Sequence, residues 1–254
     1  MKRIFYCSYP DYNTITHRLT RNKLCFPRLF VDSFGKSVWG KHLWCAGLGN
    51  LQNPLLVISG IHGCDYMGIL SCFAFLEYLL GTDETYLQGK LHQRGVLVVP
   101  CLNPDGLTLW QEGVFAAPDP QKLFALCGGD LTGWQGNADG IDPILNFDGN
   151  ASPEAAALCA LCGRYRPSVT ICLQRGKGSI AAPTDDTAGK IISFLTGYPL
   201  CPIGDGDFSS WFDKNFGRPA YAVGQPHNGS PLQSFTSVWQ KCLAALLALL
   251  CLPV

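Results

Sequence analysis

Apolar residues along the chain fall into short continuous runs that alternate with longer runs of helical spacing. The segment Leu55–Ser59 is almost wholly apolar and is followed by Gly60, which is typical of a strand covered on both faces. Val96–Pro100 predicts a second inner strand, and Met67–Leu80 between them repeats apolar residues as a buried helix does. This alternation favours an α/β fold.

Turn and cap signals place the remaining elements. Ser152, Pro153 and Glu154 supply an N-cap, a first-turn proline and a first-turn acid, which predict a helix ending near Arg164. The other expected elements are strands at 168–173 and 220–223 and helices at 187–195 and 235–251. Residues 107–150 are rich in Gly, Asp and Asn without clear periodicity, which predicts a long functional loop. No repeat or linker divides the chain, so we expect one domain over 1–254.

Charge along the chain is scarce and balanced. The 254 residues include 19 basic and 19 acidic side chains, so 15% are charged and the net charge is zero. Proteins that bind nucleic acid or an anionic membrane surface need clustered basic residues, so the sequence predicts neither function. The longest apolar run, Cys242–Leu252, has eleven residues. A membrane helix needs ~20, so we expect no membrane span, and the first residues lack the apolar core of a signal peptide.

Thirteen cysteines could indicate disulfides, but the number is odd and they lie scattered through apolar stretches. We therefore expect buried, reduced thiols and a cytoplasmic location. Cys159 and Cys162 have the spacing of a redox motif, yet they fall inside a predicted helix rich in Leu and Ala, which favours two core thiols.

The candidate chemistry begins at His62 and Asp65, which come directly after the first inner strand. Open α/β sheets place their sites at the carboxyl ends of strands. An imidazole and a carboxylate three residues apart in such a turn can bind one metal ion. They can equally form a hydrogen-bonded structural pair, and the spacing alone favours that interpretation.

Several motifs resemble those of one enzyme family. In chain order they are GKSVWGK at 35–41, ISGIHG at 58–63, VPCLNPDG at 99–106, NADGID at 137–142, and the stretch 219–232. Together they resemble the zinc carboxypeptidase family, nearest its bacterial γ-D-glutamyl-diamino acid endopeptidase branch. The resemblance covers nearly the whole chain. It implies an α/β fold with a mixed, mostly parallel central sheet and helices on both faces, and a peptide or muropeptide as the ligand.

The resemblance also identifies departures at the family's zinc ligands. The family carries His-x-x-Glu where this chain has His62 and Asp65, and a second ligand His where it has Gln174. An amide oxygen is a poor ligand beside the two His and one Glu of this fold. Cys64, Cys172 or His227 could replace a missing ligand. We therefore expect zinc to be weakly bound or absent.

The family's catalytic and substrate-binding positions differ as well. Gly224 occupies the general-base position, where the family has Glu, and glycine cannot accept a proton. Ile144 and Leu145 replace the Asn and Arg that hold the substrate's terminal carboxylate, and Gln135 replaces the Arg that polarises the carbonyl. Losing both cations removes the electrostatic stabilisation that usually dominates such catalysis.

Three functions remain open from the sequence. The first is a non-catalytic relative whose cleft binds a peptide, a muropeptide or a protein partner, and the combined losses favour it. The second is an active metallopeptidase with a zinc site rebuilt around His62 and Asp65. The third is a structural role with a vestigial cleft. The oligomeric state is not predicted.

Overall fold

A mixed eight-stranded sheet forms the centre of the computed structural model, which describes residues 6–145, 147, 152–227 and 230–252. The strands are β1 (Phe30–Lys36), β2 (His42–Leu48), β3 (Leu55–Ser59), β4 (Val96–Val99), β5 (Val169–Arg175), β6 (Ser179–Ala181), β7 (Leu200–Cys201) and β8 (Ala220–Gln225). Their order in the sheet is β1-β2-β4-β3-β5-β8-β6-β7.

The four inner strands are parallel to one another. β3 pairs with β4 on one side and with β5 on the other, and β5 pairs with β8. β2 and β6 flank this group and run antiparallel to β4 and β8, respectively. The carboxyl ends of β3, β4, β5 and β8 therefore meet at one edge of the sheet, where an α/β fold places its ligand. This confirms the expected mixed, mostly parallel sheet.

Helices cover both faces of the sheet. They are α1 (Tyr12–Cys25), α2 (Tyr66–Gly81), α3 (Thr85–Gln93), α4 (Pro104–Glu112), α5 (Pro120–Cys127), α6 (Pro153–Tyr165), α7 (Thr187–Thr196), α8 (Phe208–Phe216) and α9 (Pro231–Cys251). Side chains of β3 alternate between the two layers: Leu55 and Val57 pack with α1, α2, α7 and α9, whereas Leu56 and Ile58 pack with α6 and α8. All five residues of β3 are buried, as expected for a strand covered on both faces.

The predicted loop at 107–150 is wrong over its first part. Asn103 caps α4 by accepting a hydrogen bond from the Gly106 amide, and Pro104 occupies the first turn, so residues that resemble a β-turn open a helix. Asp119 caps α5 in the same way. A cap followed by proline is read equally well as a turn, which explains the error. Residues 148–150 of that loop lie outside the described residues.

The last helix starts earlier than expected. α9 begins at Pro231 behind a capping box of Ser230 and Gln233, whereas the pattern predicted a start at Phe235. In the part of the chain that the structure describes, α9 alone is long and apolar enough to cross a membrane. It packs on α2 and α7, and the core helix of a soluble protein meets the same criterion. The expectation of no membrane span stays a prediction.

Candidate functional site

The turn between β3 and α2 is tightly packed against the start of α4. Gly60 has φ +59°, and a Cβ there would lie 2.7 Å from the Cα of Cys101. A Cβ on Gly63 would lie 2.0 Å from the carbonyl oxygen of Gly106. Only glycine fits either position. This packing fixes the backbone on both sides of His62.

The imidazole of His62 is held by a carboxylate far away in sequence. Its Nε2 lies 3.1 Å from both carboxylate oxygens of Asp142, and its Nδ1 lies 3.9 Å from Oδ2 of Asp65. Burial lowers the pKa of His62, but the hydrogen bond to Asp142 and the charges of both acids raise it by more, so the pKa stands above its ordinary value. A metal ion at Nε2 would have to displace the hydrogen bond to Asp142 and would need the neutral form of the ring.

The carboxylate of Asp65 is fully buried and already bound at both oxygens. Oδ2 accepts a hydrogen bond from the His62 amide at 2.8 Å, and Oδ1 accepts one from the Arg175 amide at 2.7 Å. Burial raises the pKa of Asp65, while His62 and the two backbone amides oppose the rise. Asp65 therefore joins the β3–α2 turn to the carboxyl end of β5. Its oxygens face backbone amides.

Gln174 and Gly224 are direct neighbours in the ladder between β5 and β8. The chain leaving β5 crosses over the end of β8, where the amides of Gly176 and Gly178 donate to the carbonyls of Gln225 and Gly224, both at 2.9 Å. A Cβ on Gly224 would lie 3.2 Å from the Cα of Gly176, which is tighter than nearly all real contacts. The backbone of this crossover thus fills the space into which a side chain at 224 would project.

The remaining predicted site residues lie around the same edge without a charged group. Ile144 is half-buried beside α6 and α8, and its carbonyl accepts the Phe208 amide at 3.0 Å. Leu145 and Gln135 are exposed. Asn146, in the same motif, lies outside the described residues.

Two clefts open at the carboxyl ends of β5 and β8. The first, of about 350 Å³, is lined by Cys64, Trp110, Trp134 and Arg175 among others. The second, of about 460 Å³, is lined by Arg175, Gly176, Lys177, Pro226 and His227. Arg175 stands between the two. Cys64 and His227, the possible replacements for a missing zinc ligand, line the clefts, whereas His62, Asp65, Gln174 and Gly224 do not.

Arg175, Lys177 and Asp142 are the residues at this edge to which the sequence assigned no role. Arg175 is the last residue of β5, which also carries Gln174, and Lys177 follows two positions later. Two cations at the carboxyl end of a buried strand were the available signal. Asp142 belongs to the fourth motif, but its pairing with His62 spans 80 positions and no local pattern indicates it.

The side chains at this edge do not fit a zinc centre of three ligands. In the chain as described, no group of three or more His, Cys, Asp or Glu residues could hold a metal ion. His227 turns both ring nitrogens toward backbone carbonyls, of Gln225 at 2.8 Å and of Cys64 at 3.3 Å. Cys172 is fully buried, and burial raises the pKa of its thiol well above the ordinary value. Burial also raises the pKa of the Cys64 thiol.

Comparisons with known proteins by sequence and by structure point to the same family and fold. A family profile described as zinc carboxypeptidase matches residues 21–188. Carboxypeptidase D of Mus musculus is 28% identical over 194 residues, and the human protein of that name is 27% identical over 192. These alignments cover 71% of this chain but only 13% of either relative, so the chain spans a small part of their length.

Solved structures share the fold at low sequence identity. A metallo-carboxypeptidase from Burkholderia cenocepacia has a TM-score of 0.69 at 15% identity, covering 94% of this chain and 69% of that one. The bovine thrombin-activatable fibrinolysis inhibitor, in complex with a tick carboxypeptidase inhibitor, has a TM-score of 0.72 at 14% identity and 97% coverage of both chains. The murein-tripeptide amidase MpaA of Escherichia coli O157 has a TM-score of 0.57 at 19% identity, and the alignment covers 86% of this chain and 91% of that one.

Proposed function

The chain belongs to the zinc carboxypeptidase family, and we propose that it is a non-catalytic member whose cleft binds a peptide or muropeptide ligand. The observation that carries the proposal is the state of Asp65. This residue stands at the family's carboxylate ligand position, yet both of its oxygens accept backbone amides inside the protein.

Metal affinity in this fold requires three protein ligands around an open position. Here His62 is hydrogen-bonded to Asp142, and Asp65 accepts hydrogen bonds from two backbone amides. Gln174 offers only a neutral amide. A metal ion at this place would have to share the buried carboxylate of Asp65 with two backbone amides, whose hydrogen bonds are strengthened by its charge. The donor set therefore argues against a resident zinc ion.

The position of the general base supports the same conclusion. Gly224 cannot take a proton, and a Cβ at this position would lie 3.2 Å from the Cα of Gly176, so a longer side chain would have to displace the crossover. A positioned base typically contributes about 100- to 10,000-fold in rate. Without it, and without a cation at Gln135 or Leu145, the positions that correspond to the family's water-activating and charge-stabilising groups carry neutral residues.

The two clefts, by contrast, remain suited to binding a ligand. The two clefts are of the size that small ligands occupy, about 300–1,000 Å³, and they lie where α/β sheets bind ligands. Arg175 and Lys177 supply positive charge there, and Trp110 and Trp134 supply aromatic surface. An extended peptide with an anionic group suits such a lining.

One distance favours the second candidate, an active metallopeptidase rebuilt around His62 and Asp65. The Nδ1 of His62 and Oδ2 of Asp65 are 3.9 Å apart, close enough for one ion to reach both if the amide of His62 released the carboxylate. Measurements of zinc content and of peptide hydrolysis distinguish this candidate from the non-catalytic one.

The test measures metal and hydrolysis on one purified sample. We expect less than one zinc per five chains by mass spectrometry after dialysis against micromolar zinc. We also expect no release of C-terminal residues from peptides, and no cleavage of γ-D-glutamyl-diaminopimelate peptides. Stoichiometric zinc together with turnover that His62→Ala abolishes, and that the exposed-site control His17→Ala keeps, would establish the active enzyme instead.

A further inference from the structure

Arg175 is held in place by a buried acid while its own charge is left for a ligand. Its amide donates to Asp65 at 2.7 Å, which fixes the backbone at the last residue of β5. Its side chain lines both clefts and partly offsets the rise in the pKa of the Cys64 thiol that burial causes. Among the described residues no carboxylate lies within ion-pair distance of this guanidinium.

The second cleft adds another cation and no acid. Lys177 lines it two positions beyond Arg175, on the crossover above β8. No Asp or Glu is part of that lining in the chain as described, and no ion pair there involves Lys177. Two unneutralised cations that share one concave surface attract a ligand with two negative charges.

The first cleft adds apolar surface and a donor. Trp110 stacks on Tyr66 with ring centroids 5.9 Å apart and an interplanar angle of 10°, so its ring is fixed as a wall of the cleft. The indole N–H of Trp134 is buried and meets no acceptor in the described part of the protein. A ligand that enters here gains ring contact together with a hydrogen bond from the unpartnered indole N–H, which suits an acceptor such as a carboxylate oxygen.

We propose that Arg175 and Lys177 form a receptor for the two carboxylates of a peptide that ends in an acidic residue, with the preceding residue against Trp110. The inference rests on the proposed binding function and names its ligand class. Arginine binds a carboxylate through two parallel hydrogen bonds, whereas lysine acts as a point charge. The terminal carboxylate therefore pairs with Arg175, and the side-chain carboxylate pairs with Lys177.

The test compares short peptides by calorimetry on the full chain at low salt. The probes are N-acetyl-Ala-Glu, the same peptide with Gln for Glu, the same peptide with Lys for Glu, and N-acetyl-Ala-Glu amidated at its C-terminus. We expect N-acetyl-Ala-Glu to bind at least about tenfold more tightly than each of the other three, because each of those lacks one of the two paired carboxylates. Its affinity should fall as salt rises.

Variants assign the two roles. Arg175→Gln should lower the affinity for N-acetyl-Ala-Glu about tenfold or more. Lys177→Gln should remove the preference for a peptide with Glu over one with Gln, while keeping the preference for a free C-terminus. Lys214→Gln changes an exposed lysine on α8, outside both clefts, and should leave binding unchanged. Unchanged melting temperatures show that the variants are folded.

Several results would overturn the inference. One is equal affinity for all four peptides, and another is binding that Arg175→Gln does not weaken. Displacement of the peptide by equimolar inorganic phosphate would assign the cations to a free-anion site and would equally refute it. No binding of any probe would refute both this inference and the binding half of the proposed function, whereas zinc content and hydrolysis test the catalytic half separately.

Discussion

At the scale of single residues, the acid at position 65 has become a structural connector. One carboxylate accepts the amides of His62 and Arg175, which belong to different elements that meet at the strand ends. A buried carboxylate is costly unless its oxygens are bonded, and here both are. Asp65 therefore organises the backbone beside the cleft.

This arrangement makes Asp65→Ala a measurable change in stability. The substitution leaves two backbone amides near the strand ends without acceptors, which should lower the free energy of unfolding by about 2–5 kcal/mol. Urea denaturation measures it. Asp213→Ala, at an exposed position on α8, is the control and should change stability by less than about 0.5 kcal/mol. A loss of bound zinc with no loss of stability would instead identify Asp65 as a ligand.

Sequence reasoning reaches the positions of these residues better than their partners. His62 and Asp65 follow a recognisable strand, so their place at the strand ends could be predicted. Their contacts could not, because Asp142 lies 80 positions from His62 and Arg175 lies 110 positions from Asp65. Such pairs form only when the sheet order brings distant strand ends together.

At the scale of elements, the crossover from β5 to β6 decides what position 224 can hold. Gly224 pairs with Gln174 on one side and with Ser179 on the other, and the turn at Gly176 lies across it. Close packing of backbone on backbone cannot relax as a flexible side chain can.

Gly224→Ala should therefore destabilise the protein. The added methyl would lie 3.2 Å from the Cα of Gly176 and from Oγ of Ser179, and overpacking of this kind costs about 1–3 kcal/mol. The matched control is Gly89→Ala in α3, where the methyl meets nothing within 4 Å and should stabilise the helix by up to about 1 kcal/mol. Thermal unfolding measures both. Equal stability of Gly224→Ala and the wild type would show that the crossover yields, and a base could then be restored.

The helices and strands differ in how clearly the local sequence predicts them. Fully buried strands such as β3 and β4 read as continuous apolar runs and could be predicted. The peripheral strands β6 and β7 are three and two residues long, too short for any periodicity, and their place depends on pairing with β8 and with each other. The helix α4 was missed because its cap has the composition of a turn.

At the scale of the whole molecule, the small number of charged residues goes with two large apolar layers on either side of one sheet. Many cysteines belong to these layers, and none of the thirteen, all of which lie in the described ranges, forms a disulfide. Six of the thirteen are buried, Cys162 in α6 among them, whereas Cys159 is half-buried and three are exposed, so the expectation of buried thiols holds for part of the set.

Thiol reactivity should follow this partition between surface and core. Burial raises the pKa of Cys101 and of Cys242 to about 12, so only a very small fraction of either thiol ionises at pH 8. With iodoacetamide, mass spectrometry should find the exposed Cys7, Cys25 and Cys201 alkylated first. Cys101 and Cys242 should react only in urea. If Cys101 in the native protein is alkylated as fast as Cys201, the apolar layer beneath the cleft must open in solution. The binding proposal would then fail, because it depends on closely packed strand ends.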